Sequence, residues 1–210
     1  MVTMGRQSLA DPMFPAKIKN GQIGEIRHCI GCQIGCVENL YKCSPIHCTV
    51  NPRLGYEYEF PQEEAPVRKK VAVIGGGIGG MEAAVSAAKR GHQVDLYEKD
   101  SRLGGQWNLA AMPPYKQELT TLVRYQQSQL RKLNVNVHLN TEMTAEKILE
   151  LHANHVILAT GATPALPPIK GIDNKNVVTS TDILSGRKSV KENAAVIGGG
   201  EVGAETAAFI

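Results

Sequence analysis

Several features that would remove this chain from the ordinary globular enzymes are missing from its sequence. No uninterrupted apolar run is long enough to span a membrane. No stripe of positive charge marks a face for nucleic acid, since 23 Lys and Arg residues nearly balance 20 Asp and Glu residues. The first residues contain no apolar core of the kind found in signal peptides. We therefore expect a folded protein of the reducing cytoplasm that binds neither membranes nor nucleic acid.

Cysteine is absent outside residues 29–48, where all five cysteines of the chain occur. An odd number of cysteines in a reducing compartment argues against a disulfide framework. Structural zinc usually takes two separated Cys-x2-Cys pairs, whereas here three cysteines share one tight turn and a fourth follows later. This spacing favours a [4Fe–4S] cluster, with zinc as the alternative. The predicted ligands are Cys29, Cys32, Cys36 and Cys48. The remaining Cys43 interrupts the spacing, and we interpret it as a packing residue.

From Lys69 onward, short β-branched runs alternate with helical patterns, which is typical of a parallel sheet covered by helices. The prolines and glutamates of residues 53–67 indicate a linker before that region. The predicted strands are Val71–Ile74, Val94–Tyr97, Val135–Leu139, Val156–Ala159 and Ala194–Ile197. The predicted helices are Gly79–Arg90, Tyr115–Leu133 and Ala145–Leu151. The predicted fold class is therefore α/β, with a doubly wound parallel sheet.

A glycine-rich turn directly follows the first predicted strand and opens the first helix. Its residues Gly75, Gly77 and Gly80 have the spacing G-x-G-x-x-G, which allows a tight turn and a close backbone approach to a pyrophosphate. Glu98 ends the second predicted strand, where a carboxylate can accept hydrogen bonds from ribose hydroxyls. These residues predict a binding site for an adenine dinucleotide.

The cysteine segment, from Arg27 to Pro52, resembles the iron–sulfur segment of the 2,4-dienoyl-CoA reductase and enoate reductase family, which is related to old yellow enzyme. Members of that family join an FMN-binding (β/α)8 barrel, a [4Fe–4S] segment, and an FAD and NAD(P)H module. The resemblance implies that residues 1–28 are the end of the barrel and residues 29–52 the cluster segment. It further implies a linker at 53–67, the first part of an FAD domain at 68–190, and the start of an NAD(P)H domain at 191–210.

The resemblance also implies further cofactor-binding residues. Gly5 and Arg6 are similar to the Gly-Arg pair that meets the FMN phosphate at the end of the last barrel strand. A glycine-rich stretch after Glu98 and a later Ala-Thr-Gly sequence resemble the flavin-side signatures of two-dinucleotide flavoproteins. The residues added to the FAD site on this ground are Gly105, Gln106, Met143, Ala159, Thr160 and Gly161. A second turn with the G-x-G-x-x-G spacing would bind NAD(P)H through Gly198, Gly200 and Gly203. We interpret Trp107, beside Gln106, as a packing residue, with a flavin-side aromatic as the alternative.

The activity implied by the resemblance is the reduction of an activated C=C bond, as in a 2,4-dienoyl-CoA or a 2-enoate. Electrons would pass from NAD(P)H through FAD and the cluster to FMN. The small-molecule substrate would bind in a barrel that is almost entirely absent here, so we expect a fragment without turnover, from a parent that could be oligomeric. One alternative is the ADP-binding electron-transfer module of a trimethylamine dehydrogenase-like amine dehydrogenase. Another is an electron-input protein like the small subunit of glutamate synthase.

Overall fold

A four-stranded parallel sheet forms the centre of the computed structural model, which describes residues 2–60, 62–191 and 193–210. The strand order is β3-β2-β1-β4. The strands are β1 (Lys70–Ile74), β2 (Gln93–Tyr97), β3 (Asn136–His138) and β4 (His155–Leu158). Four of the strands predicted from the sequence are thus confirmed, with ends that differ by at most one residue. Because all strands run in one direction, the residues that follow them meet at a single edge of the sheet.

Small side chains let the first long helix pack close to this sheet. Helix α4 (Ile78–Lys89) contacts β1, β2 and β4, and it packs against α6 (Thr120–Lys132). Their buried faces form the main apolar core, which includes Val73, Met81, Leu96 and Leu130. A shorter helix, α5 (Trp107–Ala110), precedes α6. Residues 115–119, predicted as the start of α6, form a loop and a 3-10 turn instead, and Tyr115 has a positive φ of 63° that a helix does not accommodate.

Three short helices precede the sheet among the described residues. These helices are α1 (Gly5–Ala10), α2 (Phe14–Lys19) and α3 (Val37–Tyr41). Gly5 and Arg6 begin α1 directly after an extended Met4. A second apolar cluster, built from Ala10, Val50, Leu122 and Tyr125, joins this region to α6.

The C-terminal part of the chain contains two short helices separated by irregular segments. After α7 (Ala145–Glu150) and β4 come α8 (Ser180–Leu184), which has a capping box at Thr179, and α9 (Glu201–Phe209). The strand predicted at Ala194–Ile197 is not formed. A strand needs a hydrogen-bonded neighbour, and no strand of the described sheet pairs with this segment. None of the helices in the described ranges is long and apolar enough to cross a bilayer.

Candidate functional site

The first glycine turn lies where β1 ends, and two of its glycines are required by close packing. Gly75 has a φ of +110°, and a Cβ at this residue would overlap the carbonyl group of Ala159. A Cβ at Gly80 would overlap the carbonyl oxygen of Gly75. Both positions therefore exclude any side chain, which keeps the turn tight and seats the start of α4 against the end of β4.

Gly77 differs from its two neighbours because the space around it is open. It caps α4 with φ −69° and ψ −180°, a backbone conformation that any residue adopts. A Cβ at Gly77 would meet no atom within 4 Å, and no side chain caps the helix. The first backbone N–H groups of α4 thus remain available beside an open space, which is the arrangement that binds a pyrophosphate. A side chain at Gly77 would fill that space.

Glu98 lies directly beside this turn and is 6% exposed. Its carboxylate accepts hydrogen bonds from the backbone N–H of Gly76 at 2.6 Å and of Asp100 at 2.9 Å. A carboxylate has about four acceptor positions, so capacity is left for two ribose hydroxyls. Just before it, Tyr97 stacks on His138 with ring centres 4.5 Å apart, and burial together with the nearby Asp95 raises the pKa of the Tyr97 phenol.

The glycine-rich stretch after Glu98 folds back onto the turn. The backbone N–H of Gly104 donates to the carbonyl of Gly76 at 2.8 Å, and a Cβ at Gly105 would lie 3.3 Å from the Cα of Gly77. Gln106 is exposed, and its side-chain amide donates to the carbonyl of Ala162. The stretch therefore lies along one side of the predicted dinucleotide site.

The other residues predicted for FAD lie at the same edge of the sheet. Ala159 extends the β4 ladder, because its N–H donates to the carbonyl of Ile74 at 2.8 Å. Thr160 and Gly161 follow it, and Gly161 has a φ of +77°. Met143 is half-buried in the loop after β3, which is tied to the site by the Thr141 N–H donating to the Glu98 carbonyl at 2.8 Å.

Trp107 begins α5, next to Gln106. It packs against both apolar clusters, and its indole N–H donates to the carbonyl of Leu119 at 2.7 Å. Its role in this structure is packing, as the sequence predicts.

The four cysteines predicted as ligands line one small cavity together with Arg6. All five cysteines are free thiols. Cys43 does not line the cavity; it is exposed and has a positive φ of 51°. The structure therefore groups the four predicted ligands around one cavity, whereas the interpretation of Cys43 as a packing residue is wrong, because its side chain is exposed.

The four thiols around this cavity fit the ligand requirement of a [4Fe–4S] cluster. Among the described residues, no three His, Cys, Asp or Glu side chains converge on a point where one metal ion could bind. A cluster instead takes one thiolate at each of four iron atoms, and four thiols around a cavity match that requirement.

Two residues at the cysteine cavity were missed by the sequence analysis. The hydroxyl of Thr49 lies 3.3 Å from the Cys32 sulfur, and a Cβ at Gly35 would overlap the ring of His47. The only sequence signal for either residue is its position next to Cys48.

The second glycine turn has the same backbone conformation as the first turn, but few other residues pack against it. Gly198 has a φ of +113°, Gly200 caps α9 with φ −77° and ψ −178°, and a Cβ at Gly203 would overlap the Gly198 carbonyl oxygen. A Cβ at Gly198 would meet nothing within 4 Å, in contrast to Gly75. The structure thus forms the turn predicted to bind NAD(P)H without a surrounding sheet.

Comparison with known proteins gives consistent similarities. Residues 69–210 match the model of the family described as pyridine nucleotide-disulphide oxidoreductase. The whole chain is 44% identical to an NADH oxidase of Thermoanaerobacter brockii and 40% identical to a cinnamate reductase of Clostridium sporogenes. It covers 33% and 31% of those two proteins, so it spans about a third of the length of these relatives.

Solved structures show the same similarity. A 2-naphthoyl-CoA reductase matches with a TM-score of 0.95 and 37% identity, over 98% of this chain and 32% of that one. A histamine dehydrogenase from Rhizobium sp. 4-9 matches less well, with a TM-score of 0.78 and 30% identity, over 90% of this chain and 29% of that one.

Proposed function

The chain belongs to the pyridine nucleotide-disulphide oxidoreductase family, its relatives are of the dienoyl- and enoate-reductase type, and on this premise we propose that it is the electron-transfer part of an NAD(P)H-dependent reductase of activated C=C bonds. FAD occupies the first glycine turn, a [4Fe–4S] cluster the cysteine cavity, and NAD(P)H the second turn. Gly5 and Arg6 contact the phosphate of an FMN whose site is mostly formed elsewhere. The substrate is a small molecule such as a dienoyl-CoA or a 2-enoate.

One observation carries this proposal: the cysteine segment and the dinucleotide turn share an apolar cluster. Cys29 and Cys48 pack against the cluster of Ala10, Val50, Leu122 and Tyr125, and so does Ile78, the first residue of α4. The same cluster thus supports the thiols and the helix end that faces the pyrophosphate. Such an arrangement holds two redox groups at a constant separation, which electron transfer between them requires.

The residues of this chain have binding and orienting roles in the proposed function. The N–H groups at the start of α4 hold the pyrophosphate, and Glu98 accepts hydrogen bonds from the ribose. The four thiolates hold the cluster, and Arg6 supplies a cation at the same cavity. When bound, the flavins supply hydride chemistry and the cluster supplies one-electron chemistry.

A second candidate function is the ADP-binding electron-transfer module of an amine dehydrogenase, favoured by the similarity to histamine dehydrogenase. The packing of Gly104 and Gly105 along the first turn supports the flavin-binding function instead, because this stretch adds a wall beside the dinucleotide. Titration with FAD and with ADP distinguishes the two: a chain that binds FAD more tightly than ADP is a flavin module.

Reduced thiolates are needed to hold iron, so we place the protein in the cytoplasm. We propose no nucleic acid as a partner.

The experiment that tests the proposed function is anaerobic reconstitution with iron and sulfide. We expect about four irons per chain, in accord with a cubane held by four cysteines. Cys36→Ser removes a cavity thiol and should lose or degrade the cluster. Cys43→Ser is the matched control, since this exposed thiol lies outside the cavity, and it should retain the iron. Uptake of one zinc ion without iron would contradict the proposal.

A further inference from the structure

A buried arginine joins the two ends of the cysteine segment. Arg27, which shortly precedes Cys29, is 9% exposed. Its guanidinium Nη1 donates to the side-chain oxygen of Asn51 at 3.0 Å, and Asn51 shortly follows Cys48. Its backbone N–H donates to the carboxylate of Asp11 at 2.9 Å. One side chain therefore closes the segment on which all four predicted ligands lie.

The same guanidinium reaches helix α4, which begins at the first glycine turn. Its Nη2 lies 3.5 Å from Oε1 of Glu82, and its Cζ lies 4.9 Å from the ring centre of Tyr125. The other oxygen of Glu82 accepts a hydrogen bond from Gln126 at 3.1 Å. Gln126 also donates to the carbonyl of Ile78 at 3.2 Å. A continuous network of polar contacts thus runs from the turn, through Gln126, Glu82 and Arg27, to the cysteine segment.

This polar network is costly to bury, which argues that it does more than fill space. Gln126 is 1% exposed. Among the described residues, Arg27 Nε and Gln126 Oε1 are the two buried side-chain polar atoms that lack a hydrogen-bond partner. Apolar side chains of similar size would often be at least as stable as a buried ion pair. A partly unsatisfied polar network at this position therefore points to a positional role.

We propose that Arg27 is a positioning residue that couples dinucleotide binding at the first turn to the stability of the cluster site. The inference rests on the proposed function, because it assumes that the four thiolates hold the cluster. A dinucleotide at the turn orders the start of α4 and with it Ile78. Gln126 and Glu82 then hold the Arg27 guanidinium in place, and Arg27 holds both ends of the cysteine segment. Coupling of this kind is reciprocal, so the loaded cluster site also favours nucleotide binding.

The test measures how fast the anaerobically reconstituted 210-residue chain loses iron to a chelator, with and without saturating ADP. In the wild-type chain we expect ADP to slow iron loss about tenfold, within the usual range for coupled sites. Arg27→Lys keeps the charge but cannot reach Asn51 and Glu82 together, and Glu82→Gln weakens the ion pair. Each variant should lose most of the ADP effect. The double variant should lose no more than the single ones, because both changes break one chain of contacts.

Lys132→Met is the matched control. Lys132 also pairs with the N-terminal region, at 2.6 Å from Glu25, but both side chains are partly exposed and neither lines the cysteine cavity. In the Lys132→Met variant, ADP should slow iron loss as much as it does in the wild type. A purely structural role for Arg27 would speed iron loss equally with and without ADP, and that result would overturn the inference. So would a full ADP effect in Glu82→Gln.

A second readout separates failure of this inference from failure of the proposed function. If the wild-type chain takes up no iron, the proposed cluster is wrong. Hydrogen exchange of residues 29–52 with and without ADP then tests the coupling between the turn and the cysteine segment independently of the cluster. Slower exchange on ADP binding in the wild type, lost in Glu82→Gln and kept in Lys132→Met, supports the positioning role. Exchange that does not respond to ADP in the wild type refutes it.

Discussion

The two glycine turns have nearly the same backbone and very different surroundings. Gly75 and Gly198 have φ values of +110° and +113°, and Gly77 and Gly200 cap their helices with nearly equal torsion angles. The first turn is packed against β4, against the glycine-rich stretch at Gly104, and against Glu98. The second turn has none of these contacts among the described residues. The spacing of three glycines is thus enough to form the turn, but a binding site also needs the sheet around it.

This difference explains why one strand prediction is wrong while the helix after it forms. Helix α9 satisfies its own backbone hydrogen bonds, and the Gly203–Gly198 contact within the turn is local. A strand at Ala194–Ile197 would depend on neighbours far away in the chain. Short-range contacts can therefore be predicted from the spacing of residues, whereas strand formation depends on the partner.

The largest expected difference between the turns concerns the free energy of unfolding. Gly80→Val forces a side chain into the Gly75 carbonyl, at the junction of β1, β4 and α4, and should destabilise the fold by on the order of 3 kcal/mol. Gly203→Val makes the same local overlap, yet none of the described residues from 193 to 210 belongs to the main core. Its effect should be confined to α9. Thermal unfolding followed by circular dichroism measures both, and equal losses of stability would contradict the comparison.

A smaller difference is expected for the acidic residue at each turn. Glu98→Gln removes the charge that accepts the Gly76 and Asp100 N–H groups and, in our proposal, the ribose hydroxyls. We expect FAD and ADP to bind more weakly by about 1.5–3 kcal/mol, the usual contribution of a hydrogen bond to a charged group. Glu201→Gln, in the first turn of α9, is the control and should leave FAD affinity unchanged. Calorimetric titration gives both values; an unaltered affinity in Glu98→Gln would remove Glu98 from the site.

The smallest effect concerns the far end of α4. Burial, reinforced by the nearby Arg27 charge, lowers the pKa of Lys89. Between this lowered pKa and the unfolded value near 10.4, the unfolded chain binds more protons, so stability should rise with pH. Lys89→Met should be slightly more stable at neutral pH and should lose that rise, whereas Lys89→Arg should lose the rise while keeping the charge. Urea unfolding at a series of alkaline pH values measures the slope. The same slope in all three proteins would show that Lys89 does not cause it.

Local patterns predicted much of the fold and of the site. The β-branched runs located β1 and β2, the glycine spacing located α4, and the cysteine spacing separated Cys43 from the four cavity thiols. The resemblance to dienoyl- and enoate-reductases is confirmed by the relatives. The burial of Arg27 could not be predicted, because its partners Asn51, Glu82 and Tyr125 come from three distant parts of the chain. Helix α8 was missed for a different reason: it is only five residues long, and its periodicity is too short to recognise.

The most direct test of the account is the affinity for FAD of Gly77→Val compared with Gly200→Val. Both glycines have ordinary extended torsion angles and open space around them, so neither change should disturb the fold. Gly77→Val places a side chain in the proposed pyrophosphate site, and it should weaken FAD binding by at least about 100-fold, equivalent to losing one or two charge-assisted hydrogen bonds. Gly200→Val should bind FAD like the wild type. Wild-type affinity in Gly77→Val, with loss of binding in Gly200→Val, would show that the flavin site has been assigned to the wrong turn.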